Sequence, residues 1–196
     1  MSSFRDFLLN PASPRRSFLT ASGLMLSGAA VALLSGNEAL AADPKTKTTG
    51  GSPENDTQIL NTALGAELEA IAAYQVGAES KLLDKATLDL AVTFQGHHKE
   101  HVKLLSDTVT KLGGKPVAAK AKYDFPMDKL KSQADVLRFA ASLEQGAVSA
   151  YLGAVPLFAN RELAKAAASI LGDEAMHWAV LRGALGEAPV PSAFVS

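Results

Sequence analysis

Apolar residues recur along this chain at helical spacing, and the pattern comes twice. Leu60, Leu64, Glu67, Ile71 and Tyr74 are spaced four-three-four-three, the seam of packed antiparallel helices. A shift of 77 residues carries them onto Leu137, Ala141, Glu144, Val148 and Tyr151. A second stripe, Phe94, His98, His101 and Leu105, falls at a shift of 76 onto Ile170, Glu174, His177 and Leu181. The chain therefore reads as two copies of a helix pair, with a carboxylate or an imidazole in the middle of every buried stripe.

The punctuation predicts four helices. The first spans about 56–83, and Asp84 caps the second, about 85–112, which Gly113-Gly114 ends. Ser132, paired with Asp135, starts the third, which runs to about Ala159 with Pro156 bending or ending it. Asn160 caps the fourth, which runs to about Leu185 and stops at Gly186. The 115–131 link is long for a bundle connection. Fully extended it reaches about 56 Å, against about 42 Å for a 28-residue helix. It can run the length of a bundle and start the third helix parallel to the second. The expected class is all-α: two helix hairpins joined by a long crossover.

Ahead of the bundle, Ser13-Pro14-Arg15-Arg16-Ser17-Phe18-Leu19 resembles a twin-arginine export motif. A mildly apolar stretch and the small residues Ala39-Leu40-Ala41 follow. Residues 1–42 are expected to be an export signal cleaved after Ala41 or Ala42, which implies a periplasmic protein handled by the twin-arginine machinery. A retained membrane anchor is the alternative, near the lower length limit for spanning. Residues 43–55 read as a flexible linker, 56–187 as the bundle and 188–196 as an irregular tail.

Charge adds little: 19 Lys and Arg against 20 Asp and Glu give a net charge of -1, no pointer to nucleic acid. Cysteine is absent, so disulfides, thiolate zinc sites and iron–sulfur clusters are excluded. Any metal site must use imidazole and carboxylate. All four histidines, His97, His98, His101 and His177, lie in the two echoed segments. Burying a carboxylate costs several kcal/mol, and no Lys or Arg shares these stripes to offset it. Glu67, His98, His101, Glu144, Glu174 and His177 are thus expected to converge on metal. Without ions, their three carboxylates should repel one another and raise their pKa values. In another helical phase His97 and Glu100 would replace His98 and His101; His97 reads better as a rim residue and Glu100 as surface. Glu69 and Glu79 read as solvated, Tyr74 and Tyr151 as core with a hydrogen bond to a ligand as the sharper alternative, and Met176 and Trp178 as core or partner-facing. Gly65, Gly96, Gly146 and Gly172 suggest close helix approach beside the ligands.

This arrangement resembles the ferritin-like superfamily of carboxylate-bridged di-metal bundles, which includes ferritins, rubrerythrins and manganese catalases. The family pattern is one Glu on the first and third helices and Glu-x-x-His on the second and fourth. Glu67, Glu144 and Glu174-Ala175-Met176-His177 match it; the second helix has His98-Lys99-Glu100-His101, with His98 where the family has Glu. The resemblance implies a di-metal centre of iron, with manganese, zinc or a mixed pair as alternatives and a single ion within reach. It implies oxygen or peroxide as reactants and leaves room for a homo-oligomer. An oxidase or peroxidase, a metal-sequestering protein without turnover, and a stress-related bundle with a merely polar core are the three functional readings.

Overall fold

The computed structural model describes residues 52–195; the expected export signal and most of the expected linker lie outside the described residues. Four helices, α1 (Pro53–Glu79), α2 (Lys85–Lys111), α3 (Gln133–Ala154) and α4 (Arg161–Ala184), make up the fold, and the described residues contain no strand. None of these helices is long and apolar enough to cross a membrane.

Their boundaries follow local chemistry. The Ser52 hydroxyl accepts the Asn55 N–H, and Pro53 sits where no N–H is needed, so α1 begins before Asp56 and takes in the last three residues of the expected linker. It also ends four residues earlier than Leu83. Ser80 closes it by donating from both its backbone N–H (3.3 Å) and its hydroxyl (2.7 Å) to the Gly77 carbonyl. Asp84, Ser132 and Asn160 cap the other helices, accepting from the N–H groups of Thr87, Asp135 and Glu162. Gly113, with φ +79°, turns the chain out of α2. Pro156 ends α3 in a 3-10 turn, Val155–Leu157.

The helix ends fix the connectivity. The Asp84 N–H donates to Gln133 Oε1 at 2.6 Å, and Gln133 Nε2 donates back to Asp84 Oδ2 at 3.1 Å. So α2 and α3 start at the same end and run parallel, as the long crossover requires. At the opposite end the buried Asp56 carboxylate accepts from Ala159 N–H (2.8 Å) and Asn160 N–H (3.0 Å), tying the start of α1 to the α3–α4 turn. The crossover is anchored there by Asn61, whose amide donates to the Lys115 carbonyl and accepts from the Val117 N–H.

Each hairpin, α1 with α2 and α3 with α4, is closely packed, whereas α1 and α3 face each other more loosely. The tight contacts do not fall at three of the expected glycines, Gly65, Gly96 and Gly172. A Cβ on Gly96 or Gly172 would meet nothing within 4 Å, and one on Gly65 only Val117 at 3.9 Å. Close approach occurs instead at Gly77, where a Cβ would lie 3.2 Å from Val136, and at Gly114, 2.5 Å from Thr57. Two apolar clusters fill the bundle, one around Leu64, Val109 and Ile170 and one around Phe94, Leu137 and Leu181. Each such side chain contributes about 1.5–3 kcal/mol through burial. Between the two clusters lies a polar layer.

Candidate metal centre

The six expected residues make up that layer. Glu67, His98, Glu144, Glu174 and His177 are each no more than 3% exposed, and the His101 side chain is 12% exposed. Their donor atoms form two groups, within each of which all atoms lie within 4.8 Å of one another: Glu67, His98, His101, Glu174, and His98, Glu144, Glu174, His177. His98 and Glu174 belong to both. His98 Nδ1 lies 2.8 Å from Glu67 Oε2, and its Nε2 lies 3.3 Å from Glu144 Oε1. Glu174 Oε1 lies 3.1 Å from His101 Nδ1, and its Oε2 lies 3.8 Å from His177 Nδ1. In the other helical phase, Glu100 is exposed and takes no part.

Both tyrosines are core residues and also make the hydrogen bond that was the sharper alternative. The Tyr151 hydroxyl on α3 donates to Glu67 Oε1 on α1 at 2.6 Å. Reciprocally, the Tyr74 hydroxyl on α1 donates to Glu144 on α3. Each tyrosine lies two helical turns beyond one glutamate and serves the other, as two copies related by a twofold would arrange them. Burial, then the glutamate charge, pushes both phenols well above their usual range.

The three carboxylates do not all behave as like-charge repulsion predicts. Burial alone would raise Glu67, but hydrogen bonds from His101 and His98 outweigh it and hold the carboxyl below its ordinary value. Glu144 is likewise opposed by burial, yet held far below by bonding to Glu174, His177 and His98. Only Glu174 rises, to about 7, through burial and its bond with Glu144. The histidines take up the balance. Against desolvation, the carboxylates drive His98 up to about 11 and His101 and His177 up to about 9. Repulsion is thus relieved by imidazolium groups, which the stripe pattern treated only as ligands.

One participant was missed. Asp173 Oδ2 lies 3.2 Å from His97 Nδ1, 3.3 Å from His101 Nε2 and 3.4 Å from His177 Nε2. It faces the outer nitrogens of two histidines whose inner nitrogens face the carboxylates, which fixes ring orientation. The signal was its place four residues before His177 on one helix face. His97 sits at the rim as expected, half-exposed, with Nδ1 2.9 Å from His177 Nε2. Phe94 stacks on the His177 ring at 4.0 Å between centroids. Trp178 is partly buried and packs against the Phe94 cluster, with Arg182 over its ring; Met176 is 60% exposed. Glu79 is exposed, but Glu69 is half-buried with Lys120 at 3.9 Å, so it is not simply solvated.

The residues fit a cation. Glu144 Oε2, Glu174 Oε2 and His177 Nδ1 are buried without a hydrogen-bond partner, and Glu174 Oε1 has the ion-pair approach of His101. Such atoms cost free energy unless something pairs with them. All four belong to the group His98, Glu144, Glu174, His177, whose imidazole and carboxylate donors suit iron, zinc or manganese. The bundle therefore encloses a buried His/Glu group able to hold a metal ion.

Comparison with known proteins agrees with the fold. The ferritin-like domain pattern matches residues 55–187, and the chain belongs to that family. A crystal structure of a conserved hypothetical protein, rv2844, from Mycobacterium tuberculosis is similar, with a TM-score of 0.63 and 23% identity over 73% of this chain and 99% of that one. That likeness bears on the fold alone. No curated protein matches the chain.

Proposed function

We propose that this chain is an exported ferritin-like protein that holds a pair of metal ions, iron first among them, in the polar layer of its bundle. The supporting observation is the division of six donors into two overlapping groups that share His98 and Glu174. In this reading Glu67 and His101 would hold one ion and Glu144 and His177 the other, with His98 and Glu174 available to either. A redox-active pair held there would pass electrons from a reducing substrate to oxygen or peroxide, which would make the protein an oxidase or peroxidase. The chain's own part is to hold the carboxylates with Tyr74 and Tyr151 and to orient His101 and His177 through Asp173, with an apolar cluster on either side of the layer. Export rests on Arg15-Arg16, the apolar stretch after them and the small residues before Ala42.

The test is elemental analysis of the full chain after native export, with ferroxidase and peroxidase assays on the same sample. Two ions per chain with turnover is the expected result. Two ions without turnover would leave a sequestering protein, and absence of metal would sink the proposal. Replacing Arg15 and Arg16 by Lys should block export; a normal level outside the cytoplasm would overturn the periplasmic assignment.

A further inference from the structure

The loose face between α1 and α3 holds a partly open cavity of about 540 Å³ that reaches the polar layer. Small residues frame it: Ala63, Ala66 and Ala70 on α1, and Gly146, Ala147 and Ala150 on α3. Facing small side chains usually let helices close up, yet here the gap stays open. Phe158 and Leu105 close one end, and Phe125 and Pro126 of the crossover roof it. Phe125 is held in place by Tyr123, stacked at 5.8 Å, and by Phe139, edge-on at 5.7 Å. The lining on the side of the polar layer includes Glu67, His98, Glu144 and Tyr151.

We infer that this cavity binds a neutral, largely apolar organic molecule, its polar end turned toward Glu67, His98 and Glu144. The volume falls in the range of small-molecule pockets, about 300–1,000 Å³, and an apolar lining with a few convergent polar groups is what such pockets share. The size of the space argues for an occupant, since protein interiors otherwise pack densely. The lining offers an ion no net partner: Glu69 and Asp124 are paired with Lys120 and Lys122, Asp128 lies beside Lys129, and His98 stands between Glu67 and Glu144. Burying an unpaired charge costs far more than burying a neutral group, so an apolar lining of this kind favours a neutral molecule over an anion. The inference rests on the metal reading for the ligand's place as a substrate, though its binding stands on the cavity alone.

The test uses the full iron-loaded chain and the neutral fluorophore 1-aminoanthracene, displaced by 1-decanol or by decanoate. One probe should bind per chain, and 1-decanol should displace it at a concentration at least tenfold below that of decanoate. Ala147→Phe, which fills the cavity from α3, should weaken probe binding at least tenfold with metal content unchanged. Ala66→Leu does the same from α1 and stands in should the larger change prevent folding. A loaded wild-type chain that binds no probe, an undiminished affinity in both variants, or displacement by decanoate as effective as by 1-decanol would overturn the inference. Metal is measured on the same samples. A metal-free chain that still binds probe supports the cavity and counts against the metal reading alone.

Discussion

The α1–α2 hairpin brings Glu67, His98 and His101 to the centre, and the α3–α4 hairpin brings Glu144, Glu174 and His177. Glu67 and Glu144 are equally buried, and each accepts from a tyrosine of the other hairpin. The halves part at His98 and Glu174. Both nitrogens of His98 lie close to carboxylates, at 2.8 and 3.3 Å, whereas Glu174 has one close imidazole, His101 Nδ1 at 3.1 Å from Oε1, and its Oε2 lies 3.8 Å from His177 Nδ1. An imidazole carries its own proton and can settle two carboxylates unaided. A buried carboxylate needs a cation from elsewhere. The His98 side of the centre is tightly hydrogen-bonded and the Glu174 side is left more open.

The harshest way to break the comparison is Glu174→Ala, which removes the open residue common to both donor groups. Bound metal should fall at least tenfold by elemental analysis, while circular dichroism still reports a helical chain. Retention of full metal would show that the open half is not where ions bind.

His98→Glu makes the halves alike. It adds a fourth buried carboxylate and removes the cation that pairs Glu67 with Glu144. The metal-free chain should lose stability and the loaded chain should hold its second ion more tightly, widening the gap between their Tm values. An unchanged gap would mean that His98 and Glu174 are interchangeable.

The pH dependence separates closed from open chemistry. His98, at about 11, and His101 and His177, at about 9, lie above the ordinary histidine value in the metal-free fold. Groups raised on folding stabilise fully below the unfolded value of about 6.5, and lose that contribution as pH climbs through the folded value. Metal-free Tm should therefore fall between pH 7 and 10. Metal affinity should rise over the same range, because ligands must shed protons to bind. Calorimetry in buffers of different ionisation enthalpy should register proton release at pH 7; release of none would refute the assignment.

Smaller effects test the symmetry. Tyr74→Phe and Tyr151→Phe each take a hydroxyl from a buried carboxylate and should cost about 1–3 kcal/mol in chemical denaturation. Matching losses would confirm that the copies are equivalent at this level. Glu69→Ala, outside both donor groups, should leave metal content unchanged.

The features legible in the sequence were those with a period. The stripes placed all six central residues at one depth because a four-three repeat keeps one helix face inward. Caps at Asp84, Ser132 and Asn160 were readable because a short side chain at a helix start has one dominant partner. Interactions between elements were not readable. The tyrosine hydroxyls cross from one hairpin to the other, and Asp56 reaches a turn more than 100 residues away. The protonation of the histidines depends on three-dimensional distances to carboxylates on other helices. Asp173 escaped notice because it lies beside the apolar stripe, not on it. The cavity is a relation between two helix faces, so runs of alanine on either one read simply as good helix formers.

The reciprocal bonds between Asp84 and Gln133 hold the starts of α2 and α3 side by side, while the crossover joining the hairpins is secured near its origin by Asn61. Each hairpin owns three of the six central residues, and neither owns a complete donor group. Cutting the exposed crossover near Lys122 would yield two fragments, each with half a centre and one apolar face to bury. Their reunion would be a bimolecular event, and a divalent ion would act as the rivet. Metal would then set the concentration at which the halves find each other, turning an intramolecular fold into a ligand-dependent heterodimer.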